Sequence, residues 1–181
     1  MEVSMLLEII FGSIIVIGII LFIFAILNNK FQLAIIKIDK AQEDISLYLQ
    51  KKGELLNRAK PIIEKETKKD DVLDDLENIP VDSSNFEIHY LLKRTYNEFF
   101  KILDENEKLL KSKPLLSILE ELNTNEENIL GSIKFYNDTV VEYNHLIVSF
   151  PSSILAFFRR YKRKEFYSNE KIENFEILKD E

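Results

Sequence analysis

The chain has 181 residues, of which 46% are hydrophobic and 30% are charged, and its formal net charge is −7. This acidic balance argues against nucleic-acid binding as the main activity. The sequence contains no cysteine, which excludes disulfide bonds and thiol nucleophiles and fits a reducing compartment without establishing one.

An uncharged run, IIFGSIIVIGIILFIFAIL, occupies Ile9 to Leu27. At a rise of about 1.5 Å per residue it reaches ~28 Å, close to the ~30 Å hydrocarbon thickness of a bilayer. A cleaved signal would begin with basic residues and end with small ones, whereas Glu2 and Glu8 precede this run and bulky residues close it. A retained transmembrane helix over 9–27 is therefore favoured over a signal or a buried core helix.

The flanks of this run predict its orientation. No Lys or Arg precedes it, whereas Lys30, Lys37 and Lys40 follow closely, and short basic segments tend to stay in the cytoplasm. We expect a short extracytoplasmic tail over 1–8 and a cytoplasmic soluble part, which makes this a single-pass protein of the cell membrane.

The soluble part reads as helical, because only four glycines and four prolines occur in the chain and no strand-like alternation persists. From Phe31 to Ile63, alternate steps of four and three fall on apolar residues at every position except Gln42 and Lys52. This spacing lines one face of a helix. It predicts a first bundle helix nearly continuous with the span, with a bend at Pro61.

The acidic stretch KKDDVLDDLENIPVDSSN reads as a solvated loop. A metal site is the alternative, but the spacing of its acids is not that of a calcium loop and no glycine supplies the sharp turn. The acids of that alternative are Asp70, Asp71, Asp74, Asp75 and Glu77.

Two further helices are predicted. The second begins at Ser83–Asn85, whose side chains can cap it, and the third begins at Pro114 and ends just before Pro151. Over 115–147 the steps of four and three fall on apolar or aromatic residues except at Glu126. The polar stretch NTNEEN around Glu126 would accommodate a break in the third helix. This heptad spacing is typical of coiled-coil packing, and the short connection between the two helices makes them antiparallel.

The third helix and the residues after it carry a recognisable pattern. In SIKFYNDTVVEYNHLIVSFPSSILA, Ser132 to Ala156, two Tyr-Asn pairs are followed by Phe-Pro-Ser, and this resembles the C-terminal hallmark of the LemA family. The resemblance extends to Lys113–Ile129 and Asn28–Ile45. It implies a membrane-anchored antiparallel bundle of about four helices and brings no established biochemical activity with it. The matching residues are Tyr136, Asn137, Tyr143, Asn144, Phe150, Pro151 and Ser152.

The Tyr-Asn pairs lie seven residues apart and so share a helix face. We interpret them as packing residues, with tyrosine rings that fill the bundle and asparagine amides that bond a neighbouring segment. A polar groove for a partner peptide is the alternative.

The chain carries no Gly-rich phosphate loop and no Gly-x-Ser-x-Gly turn. Glu142 and His145 have the Glu-x-x-His spacing of di-iron bundles, but the only other histidine, His89, has Phe86 in the glutamate position. We therefore predict no enzymatic activity, no catalytic residue, no cofactor and no metal, with a surface or capping role for His145.

The tail, residues 151–181, contains the one local charge anomaly. A basic and aromatic cluster can bind an anionic membrane, at ~1 kcal/mol for each basic side chain; it can also bind a protein partner or pack on the end of the bundle. If the first helix leaves the membrane, the second returns and the third leaves again, Pro151 lies ~50 Å from the bilayer, which argues against lipid. The basic residues are Arg159, Arg160, Lys162, Arg163 and Lys164, interleaved with Phe157, Phe158, Tyr161, Phe166 and Tyr167.

These patterns predict an all-α protein with an N-terminal transmembrane helix, an antiparallel cytoplasmic bundle of three to four long helices over 28–150, and the tail. The favoured function is a non-enzymatic scaffold or adaptor for protein partners. The alternative is a lipid-organising or membrane-remodelling protein that acts through oligomerisation and its basic tail. The sequence leaves a homo-oligomer open and gives no reason to expect a nucleic-acid partner.

Overall fold

The computed structural model describes residues 2–68, 72–74, 76 and 83–167. These residues form helices and contain no strand, which confirms the prediction of an all-α protein. The elements are α1 (Glu2–Thr67), α2 (Asn85–Glu105), a 3₁₀ helix (Leu109–Lys111), α3 (Lys113–Val148) and α4 (Ser152–Arg159).

Helix α1 contains the apolar run. An 18-residue window of this helix has a mean hydropathy of 3.2, and none of that window is buried. The helix is long and apolar enough to cross a membrane. Because a core helix of a soluble protein would be covered by other elements, the exposure of this window indicates membrane association. Because α1 continues without interruption through Gly53 and Pro61, the predicted continuity of the apolar run with the first bundle helix is confirmed.

Helix α2 begins where the sequence predicts. The hydroxyl of Ser84 accepts a hydrogen bond from the backbone N–H of Glu87 at 3.3 Å, and the Glu87 carboxylate accepts one from the backbone N–H of Ser84 at 2.7 Å. This reciprocal pair is a capping box, which satisfies two backbone donors that a helix start leaves free.

The chain divides into two compact units, and α1 and α3 contribute to both. One unit comprises Met1–Asp39 and Asn137–Phe166, which we call the N-terminal unit. The other comprises Lys40–Tyr136 and Tyr167–Glu181, which we call the central unit.

In the central unit, α2 runs in the same direction as α1. The Asn85 side chain at the start of α2 donates to the Gln42 carbonyl at 3.2 Å, and Asn106 at its end lines a cavity with Thr67. Helix α3 runs in the opposite direction. The Glu121 carboxylate lies 3.4 Å from the Arg58 guanidinium, and the later Glu126 carboxylate lies 2.7 Å from the amine of the earlier Lys52.

In the N-terminal unit, α3 is again antiparallel to α1. Glu142 lies 3.7 Å from Lys37, and one residue later the Tyr143 ring meets Phe31 edge-on at 5.9 Å between centroids. As α3 proceeds, it therefore passes residues of α1 that lie progressively closer to the apolar run.

The predicted order of helix directions is wrong in one respect. The second helix does not return antiparallel to the first; the return lies between Thr67 and Asn85. A helix needs about 38 Å to rise from Gln42 to Thr67, and 17 linking residues can span about 55 Å, so the linker is long enough to bring the chain back. The antiparallel arrangement of α2 and α3 is confirmed.

The acidic loop is described only in part. Asp74 lies 3.2 Å from the Lys60 amine. The other acids of the metal-site alternative, Asp70, Asp71, Asp75 and Glu77, lie outside the described residues, as do residues 168–181 of the tail.

The cores of the two units contain the predicted stripes. In the N-terminal unit α1 buries Phe31, Ala34 and Ile38. In the central unit the first stripe continues with buried Ile45, Leu49, Leu56, Ala59 and Ile63, and α3 adds Leu115, Leu122 and Ile129.

Candidate membrane-interface site

Helix α4 lies beside the part of α1 that directly follows the apolar run. The Arg159 guanidinium donates to the Asn28 side-chain oxygen at 3.2 Å, and the Gln32 side chain donates to the Tyr161 hydroxyl at 3.1 Å. Since the apolar run ends at Leu27, α4 is at the level where α1 would leave the hydrocarbon of a bilayer.

This geometry corrects the expectation that the start of the tail lies ~50 Å from the bilayer. That expectation followed from the wrong direction for α2. Because α3 is antiparallel to α1 in the N-terminal unit, its C-terminal end carries Pro151 and the basic residues back to the first soluble turns of α1.

The two faces of α4 differ in what they contact. Leu155 and Ala156 are buried, which attaches one face to the unit. Phe157 and Phe158 are 80% and 73% exposed, and Phe150 just before the helix is 83% exposed. Large aromatic side chains seldom remain this exposed as a cluster on a soluble surface, so such a patch marks an interaction site.

A sharp turn at the end of α4 separates these phenylalanines from the residues that follow. Arg160 has φ 54° and ψ 35°, in the left-handed region. Its N–H donates to Phe157 and the N–H of Tyr161 donates to Ala156, at 3.2 and 3.0 Å. This is the Schellman pattern, which usually has glycine at the left-handed position. It turns Tyr161 back toward the unit, where this residue is half-buried, while Arg160 stays exposed.

The predicted basic cluster is brought together at this site. Arg159, Arg160, Lys162 and Arg163 are exposed, and Lys164 is half-buried. We define the interfacial patch as Phe150, Phe157, Phe158, Arg159, Arg160, Lys162 and Arg163. A cleft of ≈ 630 Å³ lies beside these side chains, lined by Ile147, Ser153, Phe158, Arg160, Tyr161 and Lys162.

The second Tyr-Asn pair holds the segment that follows α4. The Asn144 amide donates to the Lys164 carbonyl at 2.8 Å, and its oxygen accepts from the Lys164 N–H at 2.9 Å. The buried Tyr143 ring packs against Phe31 and Tyr161, and burial raises its pKa. These contacts support the packing interpretation of the pair.

The first Tyr-Asn pair lies at the boundary between the two units in sequence. In the central unit, Tyr136 is buried and meets Tyr167 edge-on at 6.3 Å between centroids. In the N-terminal unit, Asn137 is half-buried.

The start of α4, also in that unit, is supported by a side-chain hydrogen bond. The Ser152 hydroxyl donates to the Ser149 carbonyl at 2.8 Å.

A family model for the LemA family matches residues 83–177, more than half of the chain. The chain belongs to the LemA family. No curated protein and no solved structure matches it. The match covers α2, α3, α4 and the interfacial patch, whereas the apolar run precedes the matched region.

Sequence reasoning missed a buried polar cluster in the central unit of this LemA-family chain. The Lys52 amine is 2.7 Å from the Glu126 carboxylate and 4.2 Å from the centroid of the Tyr96 ring. Burial lowers the pKa of Lys52, and the hydrogen bond to Glu126 opposes that shift. The signal was present in the sequence, because Lys52 and Glu126 are both exceptions in otherwise apolar stripes.

His89 and Tyr167 extend this cluster. The Tyr167 hydroxyl donates to the Asn85 carbonyl at 3.2 Å and lies 3.2 Å from Nδ1 of His89, and its ring stacks on Phe86 at 4.1 Å. Burial, with a smaller effect from the Lys52 charge, lowers the pKa of His89 to about 4. The neutral imidazole can therefore donate from Nδ1 to the hydroxyl.

The other candidates for chemistry are not assembled into a site. His145 is exposed and hydrogen-bonds Ser149 one turn later at 3.2 Å, in keeping with the predicted surface role. Within the described part of the chain, no group of three or more His, Cys, Asp or Glu side chains is placed to hold a metal ion.

Proposed function

We propose that this protein organises anionic lipids at the cytoplasmic face of the membrane, through α4 and the basic residues beside it. The observation that carries the proposal is the attachment of α4 to the first turn after the apolar run, through the Arg159–Asn28 hydrogen bond. A helix held there meets the lipid interface without any rearrangement of the unit.

The exposed phenylalanines support an interfacial position. Transfer of a fully exposed phenylalanine side chain into an apolar environment contributes about 1.5–3 kcal/mol, and Phe157 and Phe158 are both largely exposed. Their neighbours Arg159 and Arg160 are amphipathic and can keep their charges among the headgroups.

The basic residues support a preference for anionic lipid. Each Lys or Arg near an anionic leaflet contributes about 1 kcal/mol. Four such residues of the interfacial patch, Arg159, Arg160, Lys162 and Arg163, lie within five positions of one another and are exposed.

The proposal includes the predicted topology, a single pass with residues 1–8 outside and the helical units inside, which rests on the lysines after the span. It also includes a non-enzymatic role. The scaffold for protein partners that the sequence favoured remains a prediction; the position of α4 now favours lipid as the first partner of the tail.

The experiment uses the absence of tryptophan from the chain. Phe157→Trp places a single fluorophore in the patch of the full-length protein in liposomes. We expect blue-shifted emission that is quenched by lipids brominated on their acyl chains, and more strongly by brominated phosphatidylglycerol than by brominated phosphatidylcholine. High salt should reduce this difference, because it screens exposed charges.

A matched depth control is Val141→Trp. Val141 is exposed and lines a groove with Lys37, about 15 Å beyond Leu27, so its emission should be quenched much less. Absence of quenching at position 157 would overturn the interfacial position of α4.

A charge control separates lipid selectivity from simple contact. The triple variant Arg160→Gln, Lys162→Gln, Arg163→Gln should lose the preference for phosphatidylglycerol, whereas Lys93→Gln, Lys101→Gln, Lys108→Gln removes the same charge from exposed positions of α2 and the following turn and should keep it. Equal quenching by both lipids in the unaltered patch would contradict a role in organising anionic lipid.

A further inference from the structure

Helix α1 carries a second apolar stripe that is exposed in the part of the chain that the structure describes. Its members recur at steps of three and four, and they run from the apolar run into the first soluble turns. We call it the outer stripe: Ile19, Phe22, Ile26, Asn29, Leu33 and Ile36.

The outer stripe lies on the opposite side of α1 from the residues that form the core of the N-terminal unit. At 100° per residue, Leu33 is about 160° from Phe31 around the helix, and Ile36 is about 160° from both Ala34 and Ile38. Leu33 and Ile36 are accordingly 55% and 62% exposed, although the outer face of a bundle helix is normally polar.

Lipid does not account for the whole stripe. Ile36 lies about 14 Å beyond Leu27 along an upright helix, whereas the polar headgroup layer adds only about 5–8 Å to each side of the hydrocarbon. The stripe therefore continues past the depth at which a bilayer can cover it, and its exposed end is available to another protein surface.

We infer that the outer stripe binds the outer stripe of a second copy of this chain, as a parallel pair of α1 helices. The membrane gives every copy the same direction and the same depth, so each residue of the stripe faces its own counterpart. The alternation of three and four is the spacing of such a parallel coiled coil. Asn29 is the single polar member, and two facing Asn29 amides can hydrogen-bond each other and fix the register.

The groove beside the stripe widens this surface. Leu33 lines it together with Val141, which is also exposed, and Lys37 and Glu142 lie at its edge, 3.7 Å apart. The apolar centre is thus flanked by charged side chains, as is usual at a helix-pair interface.

The absence of cysteine makes the test direct, because any single cysteine is the only thiol in the chain. Leu33→Cys and Ile36→Cys are introduced separately in the full-length protein and oxidised in native membranes. We expect a disulfide-linked dimer from each. Gln42→Cys is the matched control: Gln42 is exposed on the same helix, about 120° around the axis from Ile36, and should give little dimer.

A second set of variants tests whether the exposed apolar side chains of the stripe hold the pair together. Asn29→Cys should also give the dimer, and the added pair Leu33→Glu, Ile36→Glu should remove it. Because Leu33 and Ile36 are both exposed in the single chain, the glutamate substitutions should leave the helix content, measured by circular dichroism, unchanged. Dimer formation equal at Gln42→Cys, or retained in full after the glutamate substitutions, would overturn the inference.

Discussion

At the scale of single residues, His89 shows how packing changes an ordinary side chain. It is buried beside Tyr167, and burial together with the Lys52 charge lowers its pKa, while Glu126 acts in the opposite direction and Lys93 adds a smaller repulsion. Nothing in the sequence around position 89 distinguishes it from the exposed His145. The difference arises from residues that lie far away in the chain.

This environment predicts a pH dependence of stability. In the unfolded chain, His89 binds a proton below the ordinary histidine pKa of about 6.5. In the folded chain it does so only below about pH 4, because its pKa is lowered. The free energy of unfolding should therefore be highest above pH 6.5 and fall, by up to about 1 kcal/mol per pH unit, as the pH drops towards 4.

Urea denaturation of the full-length protein in detergent, repeated from pH 7.5 to 4, measures this dependence. The variant His89→Gln should have a flatter profile than the unaltered chain over that range. His145→Gln, at the only other histidine, should not. Identical profiles for all three proteins would exclude His89 as the source.

At the scale of elements, the two charged residues that interrupt the apolar stripes, Lys52 and Glu126, form an ion pair with each other. Sequence periodicity placed Lys52 on the buried face of the first helix and Glu126 on the buried face of the third, where each looked like an error in the pattern. The structure joins them at 2.7 Å. Periodicity assigns residues to faces, but it cannot say which residue of another helix lies opposite.

The pair predicts asymmetric effects of substitution. The Lys52 side chain is 1% exposed and that of Glu126 is 27% exposed. Glu126→Leu leaves a buried cation without its partner and should lower the free energy of unfolding by about 3–5 kcal/mol. Lys52→Met should cost less, because water can still reach Glu126. The double variant should recover most of the loss.

The matched control is the exposed pair on the same two helices. Arg58 and Glu121 lie 3.4 Å apart with side chains 57% and 40% exposed, and removing either should cost at most about 1 kcal/mol. Urea denaturation of all variants at one pH provides the comparison. Equal losses at the two pairs would show that burial does not set the contribution of the Lys52–Glu126 pair.

At the scale of the whole molecule, the orientation in the membrane is open to a simple test. With residues 1–8 outside, Met5→Cys should react with a membrane-impermeant maleimide in intact cells. Lys101→Cys, exposed on α2, should react only after the cells are permeabilised. The reverse pattern would contradict the topology and the cytoplasmic location of the interfacial patch.

The sequence by itself determined the helical class, the apolar run, the caps and the buried faces, because each depends on residues near in the chain: uncharged length, the Ser84–Glu87 box and heptad spacing. The LemA hallmark could likewise be recognised in the sequence from Tyr136 to Ser152.

Only the tertiary structure decided the direction of α2 and the position of α4. A 17-residue linker permits either a sharp reversal or a return along the first helix, and its composition does not choose between them. The contacts of Asn85 with Gln42 and of Arg159 with Asn28 settle the choice within each unit. They depend on which helix faces pack together, and they place the basic and aromatic residues beside the end of the apolar run.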